Sequence, residues 1–326
     1  MRIQDLLENT EEIDPNVLSA IINSKFFELN WKSYFDNSLK SKDNTNLMYY
    51  PDTMLHGGKI KPNKIYDIKP RSKPSDSSPI IHMAINQIAE KELNAPVRNF
   101  LFSSTSDVVS SEYGTLAIIV PLDEEYQLYY STLVDDMFTS EEVFNNEDFR
   151  ENILFKKLPD FFKQQEAKDI INKIASYYEI NKGQHSPNML IKSLIDETPF
   201  SQSMFITSIM NSKNNIDKTI NKFAIEDGSQ EIVDMLSSTY SEKNNINKDE
   251  LEELTRSLSL MILKYELSLF KKWIIKDAKR YVDSIKVSKV LTTMESDFEI
   301  MSTPGKYATL PIRGGLQALY DYYRTA

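Results

Sequence analysis

The chain contains no cysteine, which excludes disulfides, thiolate catalysis and cysteine-based zinc sites. Glycine is scarce, at 8 of 326 residues, against about 7% in average usage. That scarcity argues against a Gly-rich nucleotide loop and against a barrel with many tight turns. There are only three histidines, and no two have metal-ligand spacing, so no metal site is expected. No apolar run approaches the ~18 residues a spanning helix needs, so no membrane partner is expected. The first residues, Met1 to Glu8, carry acids where a signal peptide needs an apolar core. The expected location is the cytoplasm or the inside of a particle made there. Positive charge is also in deficit. The formal net charge is −10, which makes nucleic acid an unlikely partner for the chain as a whole. Two basic stretches, Lys59 to Lys73 and Lys271 to Arg280, read first as solvated faces.

What the chain does hold is 40% hydrophobic and 26% charged residues, a globular balance. Asp14-Pro15 is a helix start, a capping acid followed by proline at the first helical position. Residues 1–46 are read as helices. Residues 47–140 alternate: strands at Leu47–Tyr50 and Lys64–Ile68, a helix at Pro79–Leu93 and a strand at Val97–Ser103. A short helix at Asp107–Tyr113 follows, then strands at Thr115–Val120 and Tyr126–Ser131. Residues 141–326 are read as helical, at 140–157, 159–179, 187–196, 201–211, 214–224, 228–241 and 248–285. No strand is expected there, residues 301–315 read as a loop, and Leu316–Arg324 as a final helix. Leu251, Leu254, Leu258, Met261, Ile262, Tyr265, Leu269 and Trp273 keep helical period and predict a core helix. The fold class is therefore α+β: a small mixed domain with N-terminal helices and a large C-terminal helical region.

Polar residues that can do chemistry crowd between Lys69 and Asp136, at the ends of elements. Arg71 and Arg98 can each hold a phosphate with a bidentate guanidinium or pair with an acid. His82 and Asn86, four residues apart, share one helix face. That face either lines a pocket or packs locally. Ser103, Ser104 and Thr105 follow a strand, where hydroxyls either cap the next helix or bind an anion at its N-terminus. Tyr113-Gly114 is a helix stop or a ring platform. His56, before Gly57-Gly58, and His185 read as loop and turn residues.

Taken in order, Arg71-x-Lys73-Pro74-x-Asp76-Ser77-Ser78, His82-x3-Asn86, Arg98-Asn99, Phe102-Ser103, Tyr113-Gly114, Pro121 and Asp135-Asp136 resemble a domain of tailed-bacteriophage proteins of unassigned role. The resemblance spans about 70 residues. More distantly, the same order resembles the ADP-ribosyltransferase fold. That resemblance implies NAD as the cofactor, with Arg71 on its phosphates and Ser103, Ser104 and Thr105 as the hydroxyl strand. It implies Tyr113 stacked on nicotinamide, Asn86 and Arg98 as further binding residues, and Arg71, His82 and Tyr113 as catalytic. None of Glu124, Glu125, Glu141 and Glu142 is placed by a motif as the catalytic acid. Two functions follow. One is transfer of ADP-ribose from NAD to a host macromolecule, or retention of that fold without the activity. The other is a virion or assembly protein that contacts host or phage proteins. Either would sit in the host cytoplasm or within the virion.

Overall fold

The computed structural model describes residues 13–41, 45–48, 51–58, 60–71, 78–105, 110, 114–133, 149–178, 230, 232–234, 237, 247–291 and 299–326. The chain forms two compact units. The first comprises residues 1–77, 85–143 and 279–326, the second 78–84 and 144–278. Among the described residues no helix is long and apolar enough to cross a membrane.

The first unit is built on an eight-stranded antiparallel sheet. Its strands are β1 (Met54–Gly58), β2 (Lys64–Ile68), β3 (Leu101–Ser104), β4 (Thr115–Pro121), β5 (Leu128–Ser131), β6 (Ile285–Ser288), β7 (Glu299–Ser302) and β8 (Gly305–Leu310). Their order is β2-β8-β4-β1-β3-β7-β5-β6. Helix and sheet together establish the mixed α+β class. Three of these strands, β6, β7 and β8, correct the expectation that no strand follows residue 140 and that 301–315 is a loop. Two of them are inserted between earlier strands: β8 between β2 and β4, and β7 between β3 and β5. The expected strand at Leu47–Tyr50 is also corrected: Leu47 and Met48 are irregular, and the strand begins at Met54. Val97–Asn99 is a single 3₁₀ turn ahead of β3 rather than part of it.

Helices α1 (Pro15–Ile22), α2 (Lys25–Asn30) and α3 (Lys32–Leu39) pack with the C-terminal α8 (Gly315–Thr325) over the sheet. The start of α1 follows the sequence signal: Asp14 Oδ1 accepts from the Asn16 backbone N–H at 2.8 Å, with Pro15 behind it. Ser24 caps α2 through the Phe27 N–H at 3.1 Å. The layer between helices and sheet is aromatic. Phe27 meets Phe35 edge-on at 5.1 Å, Phe35 meets Tyr320 at 5.5 Å, and Phe26 meets Trp31 at 5.2 Å. These edge-to-face contacts set the positive ring edge against the negative ring face. Asn30 carries a polar side chain into this layer. Asn30 donates to the Phe26 and Lys289 carbonyls at 3.0 and 3.1 Å and accepts from the Leu291 N–H at 2.7 Å. The same Lys289 carbonyl accepts from the Tyr126 hydroxyl at 2.6 Å. Burial pushes that phenol up to about 12.

Two glycines are required by close approach. Gly114, with φ +124°, lets β4 start against β1: a Cβ there would stand 3.3 Å from the Gly58 Cα. Gly305 opens β8, where a Cβ would overlap the Asp123 carboxylate that accepts from the Lys306 N–H at 2.9 Å.

In the second unit, a widened turn at Phe149–Leu154 runs into α5 (Phe155–Phe161), followed by α6 (Gln165–Ser176). Helix α5 continues through Pro159, where a break was expected. The long α7 (Lys248–Ser284) supplies the core. Of the expected stripe, Leu251, Leu258, Ile262 and Trp273 are buried, while Leu254, Met261, Tyr265 and Leu269 are half-buried. Leu263, Leu267, Phe270 and Ile274 are buried as well, so the packed face is wider than the stripe. Phe149 closes on Phe270 and Trp273 at 5.3 and 5.2 Å. Helix α4 (Pro79–Leu93), expected with these bounds, gives its first turns to this unit and the rest to the first. The expected helices at 187–196, 201–211 and 214–224 and the one at Asp107–Tyr113 lie outside the described residues, apart from helical Ser110.

Candidate functional site

The polar residues singled out in the sequence gather around one ring, Phe102 on β3. The Arg71 and Arg98 guanidinium carbons each lie 4.2 Å from its centroid. A cation over an aromatic face is attracted by the ring quadrupole. Phe102 therefore orients two cations that would otherwise repel each other.

The backbone holds them there. Asn86 on α4 accepts from the Arg98 N–H at 2.8 Å, and its own amide donates to Asn99 Oδ1 at 2.8 Å. The Asn99 carbonyl then accepts from the Arg71 N–H at 2.7 Å. One helix residue thus fixes the 3₁₀ turn that presents Arg98 and, through it, the segment that presents Arg71. The lone turn ahead of β3 exists for this purpose: a continuous strand would have aimed Arg98 elsewhere.

Arg98 is buried, and its Nη1 donates to Glu299 Oε1 at 2.9 Å. Of the two roles the sequence left open to it, phosphate ligand or partner of an acid, it takes the second. Glu299 opens β7 directly opposite Ser104 of β3. Ser103 and Ser104 are both buried on β3, with Ser103 Oγ donating to the Ile300 carbonyl at 3.3 Å. Thr105 follows, half-buried. The Ser104 hydroxyl and the Glu299 carboxylate therefore lie on adjacent strands, with the Arg98 guanidinium reaching that carboxylate from the turn ahead of β3.

His56 corrects the expectation of a loop residue: it stands on β1. Its Nδ1 is 2.6 Å from the Phe102 carbonyl, an acceptor only, so Nδ1 carries the proton and Nε2 offers a lone pair. Burial, and then the positive charge of Arg71, hold the imidazole below its ordinary value, while the carbonyl bond opposes them. The ring is a neutral acceptor at neutral pH.

The structure thus unites Arg71, Asn86 and Arg98 at Phe102, with Ser104 and Glu299 on the same face of the sheet as that ring, while Ser103, one residue along, points to the opposite face. His82 is buried on α4 and belongs to the second unit. Tyr113, Glu141, Glu142 and His185 lie outside the described residues. Glu124 and Glu125 are exposed in the turn between β4 and β5. Sequence reasoning missed Glu299, Phe102 and His56. The available signal was local only for His56, where Leu55-His56 ahead of Gly57-Gly58 could be read as a strand end. Among the described residues no cluster of His, Asp and Glu is placed to hold a metal ion. No protein-family model, curated protein or solved structure matches this chain.

Proposed function

We propose that this chain is an ADP-ribosyltransferase-like protein of a tailed bacteriophage, with its NAD site at the Phe102 cluster. It transfers ADP-ribose to a host macromolecule or keeps the binding fold without the activity. The supporting observation is the pairing of Glu299 with Ser104 across β3 and β7, with Arg98 on the same carboxylate. The donor set suits a dinucleotide: the Arg71 cation for phosphate, a neutral imidazole and the Ser104 hydroxyl for sugar oxygens, and a carboxylate for positive charge. NAD, when bound, supplies the ADP-ribosyl group with nicotinamide as leaving group. Arg71, the half-buried member of the pair, holds phosphate. His56 accepts a sugar hydroxyl at Nε2. Glu299 stabilises positive charge at the reacting carbon, the role the sequence left unassigned.

One observation favours the second reading, a virion or assembly protein. Arg98 and Glu299 are 3% and 8% exposed, so the pair ties β3 to β7 whether or not anything binds. Calorimetric melting with NAD separates the two. A ligand at a hundred times its Kd stabilises the folded state by about 2.7 kcal/mol. The wild type should show a rising melting temperature with NAD, and Arg71→Ala should abolish the rise while remaining folded. Glu299→Gln should keep the rise and slow nicotinamide release by about 10²-fold or more. A flat titration to millimolar NAD leaves the assembly reading standing.

A further inference from the structure

The second unit carries a cationic face that the NAD reading does not use. On α7, Lys264, Lys271, Lys272 and Lys276 are all exposed, and none makes an ion pair among the described residues. At about 100° per residue these four fall on one side of the helix, over about 18 Å of its axis. Ile275 lies among them and is 57% exposed. The helix keeps its other side for the core, with Leu263, Phe270, Trp273 and Ile274 buried. In a chain of net charge −10, these four lysines form a local field opposite to that of the whole molecule, while Lys279, one turn on, is offset by Glu92 and Asp283.

We propose that this face of α7 docks an acidic amphipathic helix of a partner protein, one whose apolar row packs on Ile275 and whose carboxylates meet the lysines. Charge complementarity selects the sign of the partner. The isoleucine selects its class. A phosphodiester backbone has no use for an exposed aliphatic anchor set among the cations. An apolar side chain ringed by cations instead suits a helix that carries apolar residues and acids one turn apart on one face. The four lysines steer the encounter and fix orientation, while the anchor contributes most of the lifetime.

The probe is a synthetic acidic amphipathic helix with a leucine row flanked by glutamates, titrated against the full chain by fluorescence anisotropy. Comparators are an all-glutamate peptide of equal length and a 20-base-pair DNA duplex. The leucine–glutamate helix should bind tightest, and its affinity should fall with salt. Ile275→Asn should weaken it about tenfold, while Lys271→Glu with Lys272→Glu should abolish it. Both variants should melt like the wild type, because the substituted side chains are exposed. Equal binding of the two peptides would remove the anchor and overturn the proposal. So would tighter binding to the duplex, absence of binding to either peptide, or sedimentation showing self-association that Ile275→Asn removes.

Discussion

Two neighbourhoods of the first unit are held together in opposite ways. Under α1, α2, α3 and α8 the interior is a mesh of rings, with Phe35 touching Phe27, Tyr320 and Tyr323. Around Phe102 a single ring serves two guanidiniums, and the rest is amide, carboxylate and imidazole. The mesh is non-directional and tolerates small shifts. The polar cluster is directional: each group is in place only because another points at it. A protein keeps such a cluster in its interior at a desolvation penalty that an apolar core would not incur. That asymmetry is why the cluster, rather than the larger mesh, is the functional candidate.

The comparison can be broken by substitution. Phe35→Ala should cost about 3–5 kcal/mol in urea denaturation, since a large ring leaves a cavity that its neighbours fill only in part. Arg98→Ala should cost a similar amount, about 3–5 kcal/mol, by stranding the Glu299 carboxylate. The two sites should part company on repair. Arg98→Met with Glu299→Met should recover most of the loss, because an apolar pair of similar volume removes both desolvation penalties. A double variant no more stable than Arg98→Ala alone would mean that the pair is needed for the local geometry itself.

The smallest expected effect sharpens the contrast through pH. His56 in the folded state has a lowered affinity for protons, chiefly from burial and secondarily from Arg71. The unfolded chain therefore takes up a proton near pH 6.5 that the folded chain refuses. The contribution is fully present above that pH and is lost as pH falls through the folded value. Between pH 7.5 and 5.5 the wild type should lose stability more steeply than His56→Gln. Parallel curves would show that the imidazole protonates equally well in place.

Legibility in the sequence followed the reach of the signals. Helix α4 was bounded correctly because Pro79, the apolar period and Asn94-Ala95-Pro96 are all local, as was β2 at Lys64–Ile68. Strands β6, β7 and β8 were not legible. Ile285 follows α7 without a break, so its apolar residues looked like one more helical turn. Strand β7 is Glu-Ile-Met-Ser, whose glutamate and serine are buried only because β3, nearly 200 positions earlier, lies beside it. Strand β8 lies between Pro304-Gly305 and Pro311, which reads as a turn. The site was half-legible for the same reason. Arg71, Asn86 and Arg98 drew notice as polar residues at element ends. Their partner Glu299 had no local mark, because its role is created by pairing.

The position of β7 and β8 also sets a schedule. When β1 to β5 have left the ribosome, β3 lacks the neighbour that joins it to β5, and β2 lacks the one that joins it to β4. About 170 residues, including most of the second unit, must then be synthesised before those gaps can close. At 5–20 residues per second that interval is roughly 10–35 s. Through it the nascent chain presents unpaired strand edges, the surfaces most prone to wrong pairing. The last tenth of the chain therefore acts as the closing strip of a sheet laid down much earlier. A helper that shields β3 and β4 in the meantime should raise the yield of native protein more than one that acts after release.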